Sequence, residues 1–224
     1  MVPPCLRHRA ALPDAARSPA VLSADGAERA PATRHPYATL TPDAVLDAVE
    51  SLGLLTDGRQ LALNSYENRV YQVGLDEGAP LIAKFYRPGR WSDAAILEEH
   101  AFTRDLAEAE IPAIPPLQID GHTLHQFGDF RFALYRRQGG RVPELSDPET
   151  LEWLGRFIGR IHALGAVAPY AERPHLDVAS FGQASYDYLL SGEVIPGELR
   201  NVWQGVAALA LEGVTRAFER AGAV

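Results

Sequence analysis

The chain has 224 residues and an apolar fraction of 46%, as expected of an ordinary globular protein with one large domain or two small ones. Its net charge of -8 argues against a general nucleic-acid-binding protein, because such proteins carry basic surfaces. The single cysteine, Cys5, excludes a disulfide framework and a cysteine-based zinc site, and it fits a reducing compartment. The apolar runs are too short to predict a transmembrane helix, a membrane partner or a secretory signal.

Residues 1–36 are rich in alanine, proline and arginine and show no sustained hydrophobic periodicity. The prolines would interrupt any helix that began there, so we expect a disordered leader, or a start codon assigned too far upstream. A basic interaction arm is the less favoured interpretation, because acidic residues are mixed among the arginines.

Residues 37–138 are expected to form one antiparallel α+β lobe. Thr41 and Pro42 suit the start of a first helix, and Ser92 suits the cap of a second helix that ends near Ala109. Short apolar runs bounded by turn residues predict strands at about 59–63, 69–73, 80–86, 117–119, 123–126 and 130–135. The connections between them are mostly short, which favours antiparallel pairing over βαβ units.

From Ser146 the sequence changes to a helical pattern. One helix is expected to begin at Asp147-Pro148, and after a linker at 169–174 a last helix is expected at about 197–220. The first of these helices carries an apolar stripe at helical spacing, formed by Leu151, Leu154, Ile158 and Ile161.

Lys84 lies in an otherwise apolar strand, where parity places it on the side opposite Phe85. Such a lysine is costly unless its ammonium group reaches an anion. Glu99 lies on the inward stripe of the following helix and can supply that anion, whereas Glu98 lies further round, and the sequence does not decide between them. A lysine that simply extends to water is the alternative interpretation.

A polar turn at Asn64–Val70 precedes this strand. Asparagine and serine tolerate tight turns, and a tight hairpin can direct backbone N–H groups and a hydroxyl group, here that of Ser65, at a polyphosphate. The alternative is a plain hairpin in which these residues serve only the turn.

Three segments together resemble a known family: Leu63–Gln72, Ala83–Trp91 and Ile96–His100. Their residues are similar to those of the bacterial stress response kinase A family of serine/threonine kinases, which is related to aminoglycoside and choline phosphotransferases. The resemblance extends from about Tyr37 to the end of the chain. It implies an α+β, protein-kinase-like fold, with a complete small lobe at 37–138 that binds ATP and the first helices of an α-helical large lobe at 139–224.

The resemblance also implies which residues would bind the nucleotide. They are Asn64, Ser65, Asn68, Val70, Ile82, Lys84, Glu99, Tyr135, Arg136, Arg137 and Gln138. Lys84 would contact the α- and β-phosphates of ATP, oriented by Glu99, and the loop 64–69 would take the place of a glycine-rich loop.

At the other end of the nucleotide, Val70 and Ile82 would form an apolar ceiling over adenine. The segment 135–138 would be the hinge between the lobes, whose backbone pairs with the adenine edge. The implied reaction transfers a phosphoryl group from MgATP to a hydroxyl group of a protein substrate, as part of a cytoplasmic stress response.

The family's catalytic loop, His-Gly-Asp-x-His-x-x-Asn, and its later Asp-x-Asp metal motif do not occur in the sequence. The only His-x-Asp candidate, His175-Leu176-Asp177, lacks the histidine and asparagine that should follow, and we interpret it as unrelated to catalysis. The resemblance therefore implies that the general-base aspartate and the Mg²⁺ ligands lie beyond Val224. A truncated chain that is inactive alone is the expected result.

Two other functions stay open from the sequence. One is a small-molecule phosphotransferase of the aminoglycoside or choline type, because the large lobe, not the small one, distinguishes substrates. The other is a non-catalytic nucleotide-binding fragment. In either case the last helices would leave apolar stripes uncovered, so we expect poor solubility or partly molten behaviour beyond about residue 145.

Overall fold

The structure, a computed structural model, describes residues 35–192 and 194–221. The predicted leader at 1–36 lies almost wholly outside this range, and the division at 138/139 stays a prediction. The described elements in chain order are α1 (Pro42–Glu50), β1 (Thr56–Leu63), β2 (Arg69–Leu75), β3 (Leu81–Phe85), α2 (Asp93–Glu108), β4 (His125–Phe127), β5 (Phe130–Arg136), α3 (Pro148–Gly165), a π-helical segment (Val178–Gln183), α4 (Ala184–Ser191) and α5 (Arg200–Ala221).

The strands of the described residues form one antiparallel sheet in the order β1-β2-β3-β5-β4. Directly opposite residues of an antiparallel pair project from the same face. Val70, Lys84 and Ala133 are such partners across β2, β3 and β5, so they share one face. Phe85 projects from the other face into the main core, which confirms the parity predicted for Lys84.

The main core lies between the sheet and α1. Val45 and Val49 of α1 are fully buried there, together with Phe85 and Phe132 of the sheet. The two phenylalanine rings stack with their centroids 5.3 Å apart. Burial of a side chain of this size contributes about 1.5–3 kcal/mol, so this core holds β3, the strand that carries Lys84, firmly in the sheet.

The helices begin at the residues predicted to cap them. The Oγ1 atom of Thr41 accepts a hydrogen bond from the amide of Ala44 at 3.2 Å, and Oγ of Ser92 accepts one from the amide of Ala95 at 3.1 Å. Asp147 caps α3 in the same way. Each cap satisfies an amide that the helix itself leaves without a partner.

The predicted strand at 117–119 is not formed as a strand. Only isolated bridges occur there, one from Pro116 and one between Ile119 and His122. A proline lacks the amide donor that a strand ladder needs, and Asp120 and Gly121 adopt positive φ angles of 50° and 82°. The chain therefore reverses direction before a strand can extend.

Helical structure between Val178 and Ser191 was not predicted from the sequence. The carboxylate of Asp177 accepts a hydrogen bond from the amide of Ser180 at 2.7 Å and so caps this segment. The aspartate of the only His-x-Asp sequence thus has a structural role. The last helix begins at Arg200, three residues later than expected, because Gly197 and the two residues after it form a turn.

In the described part of the chain, α3 and α5 bury none of their residues. Ile158 on the predicted stripe of α3 is 52% exposed, and Val202 on α5 is 68% exposed. The apolar stripes predicted from the sequence are therefore present and uncovered in this structure. None of the described helices is long and apolar enough to cross a membrane.

Candidate functional site

Lys84 of β3 and Glu99 of α2 form an ion pair. The Nζ atom of Lys84 lies 2.7 Å from Oε1 of Glu99, and the two side chains are 22% and 33% exposed. Nζ also lies 4.7 Å from the centroid of the Tyr86 ring, whose face attracts a cation. A strand, a helix and an aromatic ring therefore hold one ammonium group at a defined, partly accessible position.

Lys84 is the only lysine in the sequence, since the other twenty of the 21 residues counted as lysine or arginine are arginines. The chain uses arginine for its surface ion pairs and lysine at this one position. A lysine presents a compact point charge with rotatable donors, whereas an arginine presents a planar fork. The compact ammonium group is suited to a site where a second anion approaches the pair.

Glu99 is a carboxylate at neutral pH. Burial raises the pKa of Glu99, but the hydrogen bond and charge of Lys84, together with the charge of Arg173, outweigh burial and hold that pKa below its usual value. The side chain therefore accepts hydrogen bonds from both cations and has no proton to donate.

Arg173 is a second cation on Glu99, and the sequence did not predict it. Its guanidinium donates to Oε2 of Glu99, so each carboxylate oxygen holds one cation. Its Nε donates to the carbonyl of Ala95 at 3.2 Å, and its Cζ lies 4.5 Å from the centroid of the Trp91 ring. No local pattern signals these contacts, because Arg173 lies in the predicted linker, 74 residues from Glu99.

Glu98 binds the same linker segment through backbone amides. Its Oε1 accepts from the amide of Ala171 at 2.5 Å, and its Oε2 accepts from those of Glu172 at 3.1 Å and Arg173 at 2.9 Å. Successive amides that converge on one anion form a compact anion-binding turn. The two adjacent glutamates are thus divided: Glu99 pairs with Lys84, and Glu98 holds the linker.

The loop 64–68 is fastened to the segment that follows β3. The carboxylate of Glu67 accepts hydrogen bonds from Nε of Arg90 at 3.1 Å and from Nε1 of Trp91 at 2.9 Å. Oδ1 of Asn68 accepts from the amide of Arg87 at 3.3 Å. The side chain of Asn68 is therefore engaged in holding the loop.

Asn64 and Ser65 lie at the start of this loop, where Asn64 is exposed and Ser65 is partly buried. Hydrogen bonds from their side chains to other residues of 35–192 or 194–221 are absent. The hydroxyl of Ser65 is thus available to a ligand.

Val70 and Ile82, predicted to cover adenine, lie on the sheet face of Lys84. Tyr135 is the register partner of Ile82 on β5, and its hydroxyl lies 3.2 Å from that of Tyr86. Burial raises the pKa of Tyr135 to about 12, so its phenol is neutral at physiological pH. The structure thus brings the predicted apolar residues and the ammonium group to one surface.

The candidate hinge at 135–138 leaves the sheet at the end of β5. Arg136, Arg137 and Gln138 are exposed, and Nε of Arg137 donates to Oε1 of Gln72 at 2.8 Å. Neither Arg137 nor Gln138 forms a backbone–backbone hydrogen bond with another described residue. Their backbone groups are therefore free to pair with a flat polar ligand edge.

Buried polar side chains form a series of hydrogen bonds beside β3, the strand that carries Lys84. The hydroxyl of Tyr86 lies 2.7 Å from Nε2 of His100, and Nδ1 of His100 lies 2.9 Å from Oγ1 of Thr123. Burial lowers the pKa of His100 to about 4, so its ring is neutral at pH 7. These hydrogen bonds join the end of β3 to α2 without adding a charge beside the Lys84–Glu99 pair.

A metal site is not formed by the described side chains alone, since they contain no group of three or more histidines, cysteines or acidic residues that could hold an ion. The described residues provide two cations, Lys84 and Arg173, on the carboxylate of Glu99. They also provide the fastened loop 64–68, an apolar sheet face, and backbone groups at 137–138 that other described residues leave free. Together they can hold a polyanion that carries a flat apolar group.

Comparison with known proteins defines the class. Residues 59–211 match the phosphotransferase enzyme family, a span of more than half of the chain. The chain belongs to this family, and membership supports a kinase-type enzyme.

Particular relatives bear out the resemblance to stress response kinases. The serine/threonine protein kinase RdoA of Salmonella typhimurium and stress response kinase A of Escherichia coli K12 are each 37% identical over 145 residues. Stress response kinase A of Shigella flexneri is 38% identical over the same length. Each alignment covers 65% of this chain and 44% of the relative, so the chain matches less than half the length of these proteins.

A solved structure bears out the fold. The amicoumacin kinase hAmiN, in complex with AMP-PNP, Ca²⁺ and Ami, superimposes with a TM-score of 0.56 at 21% identity. The match covers 76% of this chain and 51% of the kinase. It confirms the predicted α+β, kinase-like fold.

Proposed function

We propose that this chain forms the ATP-binding part of a serine/threonine protein kinase that acts in a cytoplasmic stress response. The observation that carries the proposal is the Lys84–Glu99 pair, 2.7 Å long, on the sheet face of Val70 and Ile82. In the proposed reaction the terminal phosphoryl group of MgATP passes to a serine or threonine hydroxyl of a protein.

The phosphate groups of ATP would lie between Lys84 and the loop 64–68. The ammonium group would contact phosphate oxygens while Glu99 keeps its direction, and the hydroxyl of Ser65, unpaired among described residues, would donate to another. Asn68 would act differently from the expectation of direct contact, because its side chain already accepts from the amide of Arg87. It would hold the loop over the phosphates.

The adenine ring would lie against Val70 and Ile82. Its polar edge would pair with the backbone of Arg137 and Gln138, which other described residues leave free. Apolar walls with a few placed polar groups are the usual composition of a cofactor pocket.

We assign no general-base aspartate and no Mg²⁺ ligand to the described residues of this chain. Mg²⁺, when bound, would neutralise charge on the phosphates. The part of the reaction assigned to this chain is therefore to bind and orient the nucleotide.

A protein hydroxyl is the favoured acceptor because one 37% identical relative carries the name of a serine/threonine protein kinase. A small-molecule acceptor is the second candidate, since a small-molecule kinase shares the fold at 21% identity. Profiling of phosphate transfer to proteins and to amino alcohols by the full-length enzyme distinguishes the two.

The single lysine gives a direct test of nucleotide binding. An ATP analogue with an amine-reactive acyl phosphate should label the peptide that contains Lys84, and excess AMP-PNP with Mg²⁺ should prevent the labelling. The variant Lys84→Arg, which keeps the charge but removes the amine, is the matched control and should lose the label. Labelling that AMP-PNP does not reduce would contradict the proposal.

A further inference from the structure

We propose that Arg173 is a positioning residue of this site, which holds Glu99 in place for Lys84 and links that pair to the loop 64–68 through Trp91. This inference rests on the proposed nucleotide-binding function. It assigns a role in the site to a segment that lies far from it in sequence.

Both oxygens of the Glu99 carboxylate are occupied by cations. Lys84 takes Oε1 and Arg173 takes Oε2, so the carboxylate cannot rotate without breaking one contact. The guanidinium is itself fixed by the carbonyl of Ala95 and the ring of Trp91. A carboxylate with one oxygen free would sample more orientations, and the ammonium group would follow it.

Trp91 connects Arg173 to the loop 64–68. The Trp91 ring that contacts Arg173 donates its Nε1–H to Glu67 at 2.9 Å, and Glu67 belongs to the loop 64–68. An unbroken series of contacts therefore runs from Glu67 through Trp91 and Arg173 to Glu99 and Lys84. One arginine therefore contacts both the carboxylate that orients Lys84 and the tryptophan that fastens the loop 64–68.

Backbone hydrogen bonds attach the segment that contains Arg173 to α2. Glu98 accepts hydrogen bonds from three successive amides that end at Arg173 itself. Glu98, which precedes Glu99 on α2, thus anchors the segment Ala171–Arg173. Arg173 and Glu99 also line, with Tyr170, an open cavity of about 320 Å³, so the arginine lies at the edge of accessible space.

The test measures binding of AMP-PNP with Mg²⁺ to the full chain and to charge-conserving variants. Arg173→Lys keeps the charge but removes the planar fork, and we expect its affinity to fall about threefold to tenfold. The matched control is Arg156→Lys, at the exposed pair with Glu152, which should bind like wild type. In a Glu99→Gln background, Arg173→Lys should cause little further loss, because a role exerted through Glu99 is not additive.

The outcomes separate this inference from the proposed function. If Lys84→Ala loses affinity while Arg173→Lys binds like wild type, the inference is overturned and the proposed function stands. An equal loss on Arg173→Lys with and without Glu99 would also overturn it, since a general structural effect is additive. If wild type binds no nucleotide, the proposed function fails and the inference fails with it.

Hydrogen exchange tests the anchor independently of nucleotide. The amides of Ala171, Glu172 and Arg173 should exchange faster in Glu98→Gln than in wild type, because a neutral amide oxygen is a weaker acceptor than a carboxylate. Unchanged exchange at these amides would overturn the anchoring role of Glu98.

Discussion

The Nζ atom of Lys84 and the Oε1 atom of Glu99 lie 2.7 Å apart and join the third strand of the sheet to α2. Glu99 serves two cations, because Arg173 occupies its other oxygen. Removal of the negative charge would leave two cations facing each other with only partial access to water. The Lys84–Glu99 pair therefore stabilises the fold and also belongs to the candidate site.

Replacement of Glu99 by glutamine should lower the free energy of unfolding by about 1 kcal/mol, because the partial exposure of the three side chains screens their repulsion. Urea denaturation at pH 7 measures the change. Since the pKa of Glu99 is lowered in the folded state, this stabilisation is present above about pH 4.5 and is lost as the pH falls through the folded pKa. Glu152→Gln, at an exposed pair, is the control and should change stability by less than about 0.5 kcal/mol.

Replacement of Trp91 by phenylalanine should loosen the loop 64–68. The change removes the Nε1–H donor to Glu67 but keeps a ring face for Arg173, so only the loop contact is lost. We expect faster amide exchange in the loop and a stability loss of about 0.5–1.5 kcal/mol. Trp153→Phe is the matched control because Trp153 is 54% exposed on α3. If Trp153→Phe speeds amide exchange in the loop 64–68 as much as Trp91→Phe does, the expectation is contradicted.

Local sequence patterns predicted the frame of this site well. Strand parity placed Lys84 opposite Phe85 because side chains alternate strictly along a strand. The caps at Thr41, Ser92 and Asp147 were predictable because a cap is a contact between residues two or three positions apart. Such features depend on a few neighbouring residues, which a sequence displays directly.

Contacts across the fold were not predictable in this way. Arg173 reaches Glu99 over 74 residues, and no periodicity in the linker marks it among twenty arginines. Glu99 pairs with Lys84 and Glu98 binds the linker, and which glutamate takes which role depends on the surface of α2 that the linker contacts. The strand predicted at 117–119 failed because a turn at Asp120 and Gly121 competes with extension.

Stability should depend on pH through His100. The pKa of this histidine falls from 6.5 to about 4 on burial, so the unfolded chain binds more protons between these values. The free energy of unfolding therefore rises with pH from about 4 to 6.5, by up to about 3 kcal/mol from this residue. Above pH 6.5 the contribution is complete.

The variant His100→Gln should flatten this dependence in urea denaturation series at pH 4.5 and 7. It should not abolish the dependence, because burial also lowers the pKa of His125. The charged groups near His100 are Glu99, Lys84 and Arg173, and His125 also titrates nearby. A slope in His100→Gln as steep as in wild type would show that His100 binds protons equally in the folded and unfolded states, which would contradict the lowered pKa.

One substitution made at two sites tests whether the apolar face of α5 is exposed in solution. Val49→Ala on α1 removes methyl groups from a fully buried site and should lower the free energy of unfolding by about 2 kcal/mol. Val202 on α5 is 68% exposed, so Val202→Ala should change stability by less than about 0.5 kcal/mol. The same variant should reduce ANS binding, because it removes accessible apolar surface. An equal cost at the two sites in urea denaturation would mean that another surface covers Val202 in solution, since a cavity cost arises only where neighbouring atoms already pack around the side chain.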